Sequence, residues 1–143
     1  MIGTALLCVG GLVVSLGLSG CSGNGDSRPQ SEFFGVVTFD DKPMEEGSIH
    51  FTSPKTGESA FCNLGEGGAY QVTFPGGDLN ESYEVTIKEA VVDTEGIPAH
   101  EMPPPVKLSV SLPQRYRQRP TSGLRATLEK PGKNHVDFAL TTP

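Results

Sequence analysis

Histidine, cysteine and serine do most of the proton transfer, nucleophilic attack and metal binding in proteins, and here they stand apart from one another. His50, His100 and His135 fall in three separate stretches. His100-Glu101 runs into Met102-Pro103-Pro104, so the HExxH zinc spacing is absent and proline would block the helix it needs. His100 and Met102 could be drawn as a copper pair, but scattered surface positions are the plainer reading. No metal or cofactor is expected. A serine or cysteine nucleophile needs a histidine beside it and a third group to orient that histidine. No Gly-x-Ser-x-Gly turn offers one, and no catalytic residue is assigned. Asp40, Asp41, Glu45 and Glu46 gather around one turn. Calcium wants six to eight oxygens, and this spacing matches no calcium loop, so a solvated acidic hairpin is expected.

The cysteines divide by position. Residues 1–20 carry no charged side chain, and Ala5 to Leu18 is apolar but interrupted by glycine. A permanent span needs about 20 apolar residues, so this stretch reads as a signal peptide although its first four residues lack the usual basic side chain. It ends in Leu18-Ser19-Gly20-Cys21, which resembles the bacterial lipobox. There small residues let an extended backbone enter the peptidase and the Cys21 thiol takes diacylglycerol. Ser22, not aspartate, follows the cysteine, which favours the outer membrane over the inner. Residues 21–31 then form a polar tether, with an r.m.s. reach of about 15–20 Å for ten residues. With Cys8 in the leader and Cys21 lipidated, Cys62 is alone. It alternates with Ala60 and Leu64, so it is expected buried, inert and apolar in behaviour.

The charge is unevenly placed. Residues 22–106 hold 4 Lys and Arg against 15 Asp and Glu, whereas residues 107–143 hold 7 against 2. The basic part includes Arg115, Tyr116, Arg117 and Arg119, where tyrosine sits among alternating arginines. Most other aromatics fall on inward positions and there is no tryptophan. Such a group could contact an acidic polymer, lipid headgroups or nucleic acid. Alternatively, Tyr116 packs its loop onto the domain while the arginines pair with the domain's own carboxylates.

Seven strands must position these residues. Period-two alternation marks Gly35-Val37-Phe39, Ile49-Phe51 (with His50 and Thr52 outward) and Ala60-Cys62-Leu64. It continues in Tyr70-Val72-Phe74, Tyr83-Val85-Ile87, Leu124-Ala126-Leu128 and Val136-Phe138-Leu140. Asp40–Pro43, Gly65–Gly68 and Lys130–Asn134 read as turns, the last as a hairpin. Val106, Leu108, Val110 and Leu112 would add an eighth, edge strand. Density of Gly and Pro excludes long helices, and the spacing of turns predicts one all-β sandwich over residues 32–143. The 93–123 segment is too long for a simple connection; its Pro103, Pro104 and Pro105 suggest polyproline II, and Pro113–Gly123 an irregular arch.

Gly35-Val36-Val37-Thr38-Phe39-Asp40-Asp41-Lys42-Pro43, with Gly68-Ala69-Tyr70 and Tyr83-Glu84-Val85-Thr86-Ile87, resembles the carboxypeptidase regulatory-like, transthyretin-like sandwich. Asp41 stands where that pattern has a turn glycine. Leu112-Pro113-Gln114-Arg115-Tyr116, Thr121-Ser122-Gly123-Leu124 and Lys130-Pro131-Gly132-Lys133-Asn134 resemble the C-terminal part of small lipoproteins abundant in planctomycetes. The resemblance implies a Greek-key sandwich at the cell envelope and brings no catalytic residue. The transthyretin-like hydroxyisourate hydrolases end in Tyr-Arg-Gly-Ser, and this chain ends Leu140-Thr141-Thr142-Pro143.

The function expected from these readings is a lipid-anchored, non-catalytic binding or structural module. Its partners would be the membrane and an envelope protein or acidic polymer, without nucleic acid, and the oligomeric state stays open. Two alternatives remain: a small-solute or metal-binding lipoprotein, and an atypical hydrolase using residues 93–123, which would need His100, Glu101 and Arg115 in one cleft.

Overall fold

A computed structural model describes residues 30–74, 76–98, 100–104 and 107–143. The expected signal peptide, Cys21 and nearly all of the tether lie outside the described residues. Among those described, the chain is an all-β sandwich of two sheets that do not close into a barrel.

The first sheet is built on β1 (Ser31–Phe39), whose side chains alternate between core and surface along its whole length. Such strict period two fixes the register, because a slip of one residue would expose Phe33 and Val37. On one edge β1 pairs antiparallel with β5 (Ala69–Phe74) and then with the two-residue β2 (Lys42–Pro43). On its other edge it pairs parallel with β8 (Gly132–His135) and β9 (Phe138–Leu140). The second sheet has the order β4 (Ser59–Asn63), β3 (Ser48–Thr52), β6 (Ser82–Lys88), β7 (Leu124–Thr127), all antiparallel.

The core between the sheets is largely aromatic. Phe33 stacks on Phe51 with ring centres 5.1 Å apart and meets Phe74 and Tyr83 edge-on. Phe138 closes on Phe51 and Tyr70. Burying rings of this size is the main favourable contribution to a small sandwich, and edge-on pairs add about 0.5–1.5 kcal/mol each.

All seven strands expected from the alternation form. The β1–β2 turn is the two-residue Asp40–Asp41, both in the left-handed region at φ 48° and 63°. This is the type I′ geometry that matches strand twist, and aspartate tolerates it, so no glycine is needed at Asp41.

Three expectations are corrected. Lys130–Asn134 is no hairpin: β7 lies in one sheet and β8 in the other, so the chain crosses the sandwich there. The buried Asn134 side chain holds the crossing, accepting from the N–H of Glu129 (3.2 Å) and Lys130 (3.3 Å) and donating to the carbonyls of Lys130 (2.9 Å) and Gly132 (3.0 Å). No edge strand forms over the described residues 107–112. Leu112 N–H donates to Val110 carbonyl at 2.9 Å, a tight turn that breaks extension, although Leu112 is buried and Leu108 and Val110 pack on the core. Finally Thr52, expected outward, is buried, its hydroxyl 2.9 Å from that of Ser59.

Candidate functional site

The arch that the sequence singles out is folded tightly. A 3-10 turn at Gln114–Arg117 leads into a single helical turn, α1 (Arg119–Ser122), which Gly123 ends at φ 66°. Both turns pack beside β6, beyond the point where β7 stops pairing with it.

Each of the four candidate residues has a different role. Tyr116 is buried, so its aromatic ring faces inward like the others. Its hydroxyl accepts from the Thr141 N–H at 3.1 Å and from Arg115 Nη2 at 2.8 Å, and lies 3.3 Å from the Thr141 carbonyl. Burial pushes this phenol up, but the hydrogen bonds from Thr141 and the Arg115 guanidinium outweigh it and bring it below the usual tyrosine value. Arg115 also donates to the Thr141 carbonyl at 2.8 Å and lies over the Tyr116 ring, 4.7 Å from its centre. Arg117 pairs with Glu89 just past β6. The carboxyl of Glu89 is held below its usual range by its own backbone N–H and, against some desolvation, by Arg117. Arg119 is exposed and makes no ion pair among the described residues. The arch therefore ties β6 to the end of β9, and among the described residues Arg119 is its one charge without a partner.

His100 contacts its neighbour Glu101 at 3.4 Å and is largely exposed, while Arg115 is committed to Thr141. The cluster that an atypical hydrolase would need is not assembled from these residues. Met102 is exposed. Among the described residues no three His, Cys, Asp or Glu side chains are placed to hold a metal.

The acidic hairpin residues reach to separate backbone donors. Asp40 accepts from Thr142 N–H (2.9 Å), Glu45 from Gly67 N–H (2.9 Å) and Glu46 from Ser109 N–H (2.8 Å). The last bond lowers the Glu46 carboxyl from its usual value. These carboxylates clip loops to the hairpin and do not converge.

Sequence reading missed one pair with catalytic-looking geometry. Ser48 Oγ lies 2.8 Å from His50 Nε2. Two residues apart on one strand, they share a face, which the Ser-x-His spacing within an alternating segment already implies. The direction of the bond decides what it can do. Ser48 donates its only hydroxyl proton to the Glu89 carbonyl at 2.7 Å, so His50 must be the donor to Ser48. A histidine that presents a proton cannot take one from the serine, and Ser48 is fully buried. Burial, with the charge of Lys88 added, lowers His50 to about 4, and its ring stacks on Phe61 at 5.1 Å. The pair is an internal tie between β3 and the end of β6.

Cys62 points inward as expected but is only half-buried. Desolvation raises its thiol, opposed by a hydrogen bond from the Gln71 backbone. It thus bridges β4 and β5, facing edges of the two sheets that do not pair. Of the surface clefts among the described residues, two expose the most apolar lining. One of about 390 Å³ is lined by Phe39, Asp40, Lys42, Pro43, Met44 and Val110. The other, about 620 Å³ and more open, lies by exposed Phe61, Val91 and Val92.

No family model matches the chain, and neither a curated protein nor a solved structure matches it.

Proposed function

We propose that this chain is an exported lipoprotein, fixed to an envelope membrane by diacylglycerol on Cys21, whose sandwich serves as a non-catalytic binding or structural module. The observation that carries the reading is Leu18-Ser19-Gly20-Cys21 at the end of a charge-free apolar stretch, with β1 starting at Ser31, ten residues beyond the cysteine. A single acyl chain holds a protein marginally and two or three hold it durably, so the diacylglycerol is what would keep the domain at the membrane. We read the sandwich as Greek-key and transthyretin-like, on the glycine-to-proline hairpin of residues 35–43 and its tight Asp40–Asp41 turn. Envelope proteins or acidic polymers are the partners that suit the arch, with Arg119 as the side chain available to them.

Labelled palmitate supplied to cells should enter the protein, and Cys21→Ala should abolish both labelling and membrane retention. Equal labelling of the variant would overturn the anchor. Fractionation should place the protein in the outer membrane, since Ser22 follows the cysteine.

The cleft at Phe39, Met44 and Val110 supports a second reading, a small-solute-binding lipoprotein, because its size falls in the range of ligand sites. Val110→Trp would fill it, abolishing solute binding while leaving membrane retention intact.

A further inference from the structure

We propose that Asn80 is a site of N-linked glycosylation, an inference that rests on the export proposed above. Asp78-Leu79-Asn80-Glu81-Ser82 is an Asn-x-Ser acceptor whose middle residue is not proline. Asp78 adds an acidic side chain two positions before the asparagine. No other asparagine has the pattern: Asn24, Asn63 and Asn134 are followed two residues later by Asp26, Gly65 and Val136.

The structure separates Asn80 from its fellows in a second way. The Asn63 amide is consumed in a two-way pairing with the Val91 backbone, at 2.8 Å in each direction. Asn134 is buried and bonds four backbone groups. Asn80 is exposed, in the connection between β5 and β6, and its side-chain amide has no partner among the described residues. Only its backbone is held, N–H to the Leu128 carbonyl at 2.7 Å, with φ at 67°. Asparagine is among the few residues that tolerate this left-handed conformation.

Alternation completes the presentation. Glu81 turns inward, 5% exposed, and accepts from the Ser53 hydroxyl, so Asn80 and Ser82 both face solvent. Asp78 and Leu79 are exposed as well. A glycan leaving this surface would displace no core contact, so the modified chain keeps the same sandwich.

The co-reactant is an oligosaccharide carried on a polyprenyl diphosphate. The Asn80 amide nitrogen forms a bond to the anomeric carbon of the first sugar, the carbon–oxygen bond to the diphosphate breaks, and polyprenyl diphosphate leaves with the electron pair. One amide proton is lost, and nothing is oxidised or reduced.

The test is peptide mass mapping of the full chain isolated from membranes of its own cells. The Asn80 peptide should carry the mass of one or more sugar residues. Asn80→Asp, which keeps the turn, and Ser82→Ala should remove that mass, and Ser82→Thr should keep it. Thermal midpoints of the three variants should match the parent, excluding misfolding as the cause. A plain-mass Asn80 peptide overturns the proposal. If the amino-terminal peptide of that sample bears diacylglycerol on Cys21, the anchor reading survives; if it is unprocessed, both fall. Sugar mass persisting in Asn80→Asp overturns the assignment to this residue.

Discussion

Tyr116 and Arg119 sit three residues apart and should respond differently to substitution. The Tyr116 hydroxyl takes the Thr141 N–H and the Arg115 guanidinium in a buried setting. Tyr116→Phe leaves those donors without an acceptor and should cost about 1–2 kcal/mol in chemical denaturation. Arg119→Gln touches no partner among the described residues and should stay within about 0.5 kcal/mol of the parent, as surface substitutions do. A larger loss for Arg119→Gln would mean that the arch packs through that side chain. His50 gives a prediction in pH. Its folded value is lowered from 6.5 to about 4, so the unfolded chain binds more protons between those values. Stability from this group is complete above pH 6.5 and falls as pH drops toward 4. Partial exposure reduces the effect to about 1–2 kcal/mol, measurable as an acid-side fall in unfolding free energy that His50→Gln should flatten.

Among the elements, the β1–β2 hairpin depends on a backbone approach at Gly68. Gly68 lies at φ 74°, and a methyl group there would stand 2.3 Å from the Val37 carbonyl oxygen. Gly68→Ala should therefore cost about 2 kcal/mol or more, through left-handed strain and a clash with rigid backbone together. A neutral result in thermal unfolding would show that the 66–68 turn can move away from β1. How much could be read beforehand follows from what kind of contact each element makes. The seven strands were legible because each carries its own period-two record of which face meets the core, as in Tyr83-Val85-Ile87. The crossing at Lys130–Asn134 was not, since Pro-Gly reads the same in a hairpin and in a passage between sheets. What distinguishes them is the buried Asn134 side chain, whose partners are all backbone atoms. The 107–112 segment alternates like a strand, but the Val110–Leu112 turn leaves it no pairing partner. In the arch, residue types allowed either an exposed recognition group or a tyrosine packed on the domain, and the packed arrangement is the one observed. Burial of Tyr116 depends on Thr141, a contact across 25 residues that no local pattern records.

Over the whole molecule the charge split becomes a question of reach. The acidic residues outnumber the basic ones before residue 107 and the reverse holds after it, yet Arg117 and Arg125 pair back to Glu89 and Glu84. Of the arch arginines only Arg117 makes such a pair, contributing roughly 0–1 kcal/mol, and Arg115 adds its hydrogen bonds to Tyr116 and Thr141, so replacing Arg115, Arg117 and Arg119 together by Gln should lower stability by about 1–3 kcal/mol. If the arch also meets an acidic partner, added salt should weaken that association, because exposed charges are screened over about 10 Å at 0.1 M. Loss of envelope association in the triple variant, with salt reproducing it, would identify the arch as the contact; a salt-insensitive association that survives the substitutions would place the contact elsewhere.

The parallel pairing of β1 with β8 and β9 also sets an order of events. Ser31 meets Gly132, and Phe39 meets Leu140, so the central strand of its sheet waits for partners a hundred residues downstream. Closing loops of that length is entropically costly before any contact compensates, and topologies dominated by distant pairings fold in milliseconds to seconds. A chain still emerging, or cut short before Gly132, holds β1 by one edge only and leaves Tyr70 without the Val136 carbonyl that its hydroxyl reaches. Removing residues 132–143 should thus loosen the first strand as well as the last, and its sheet should stay slack and threadable on that edge until Phe138–Leu140 has been delivered.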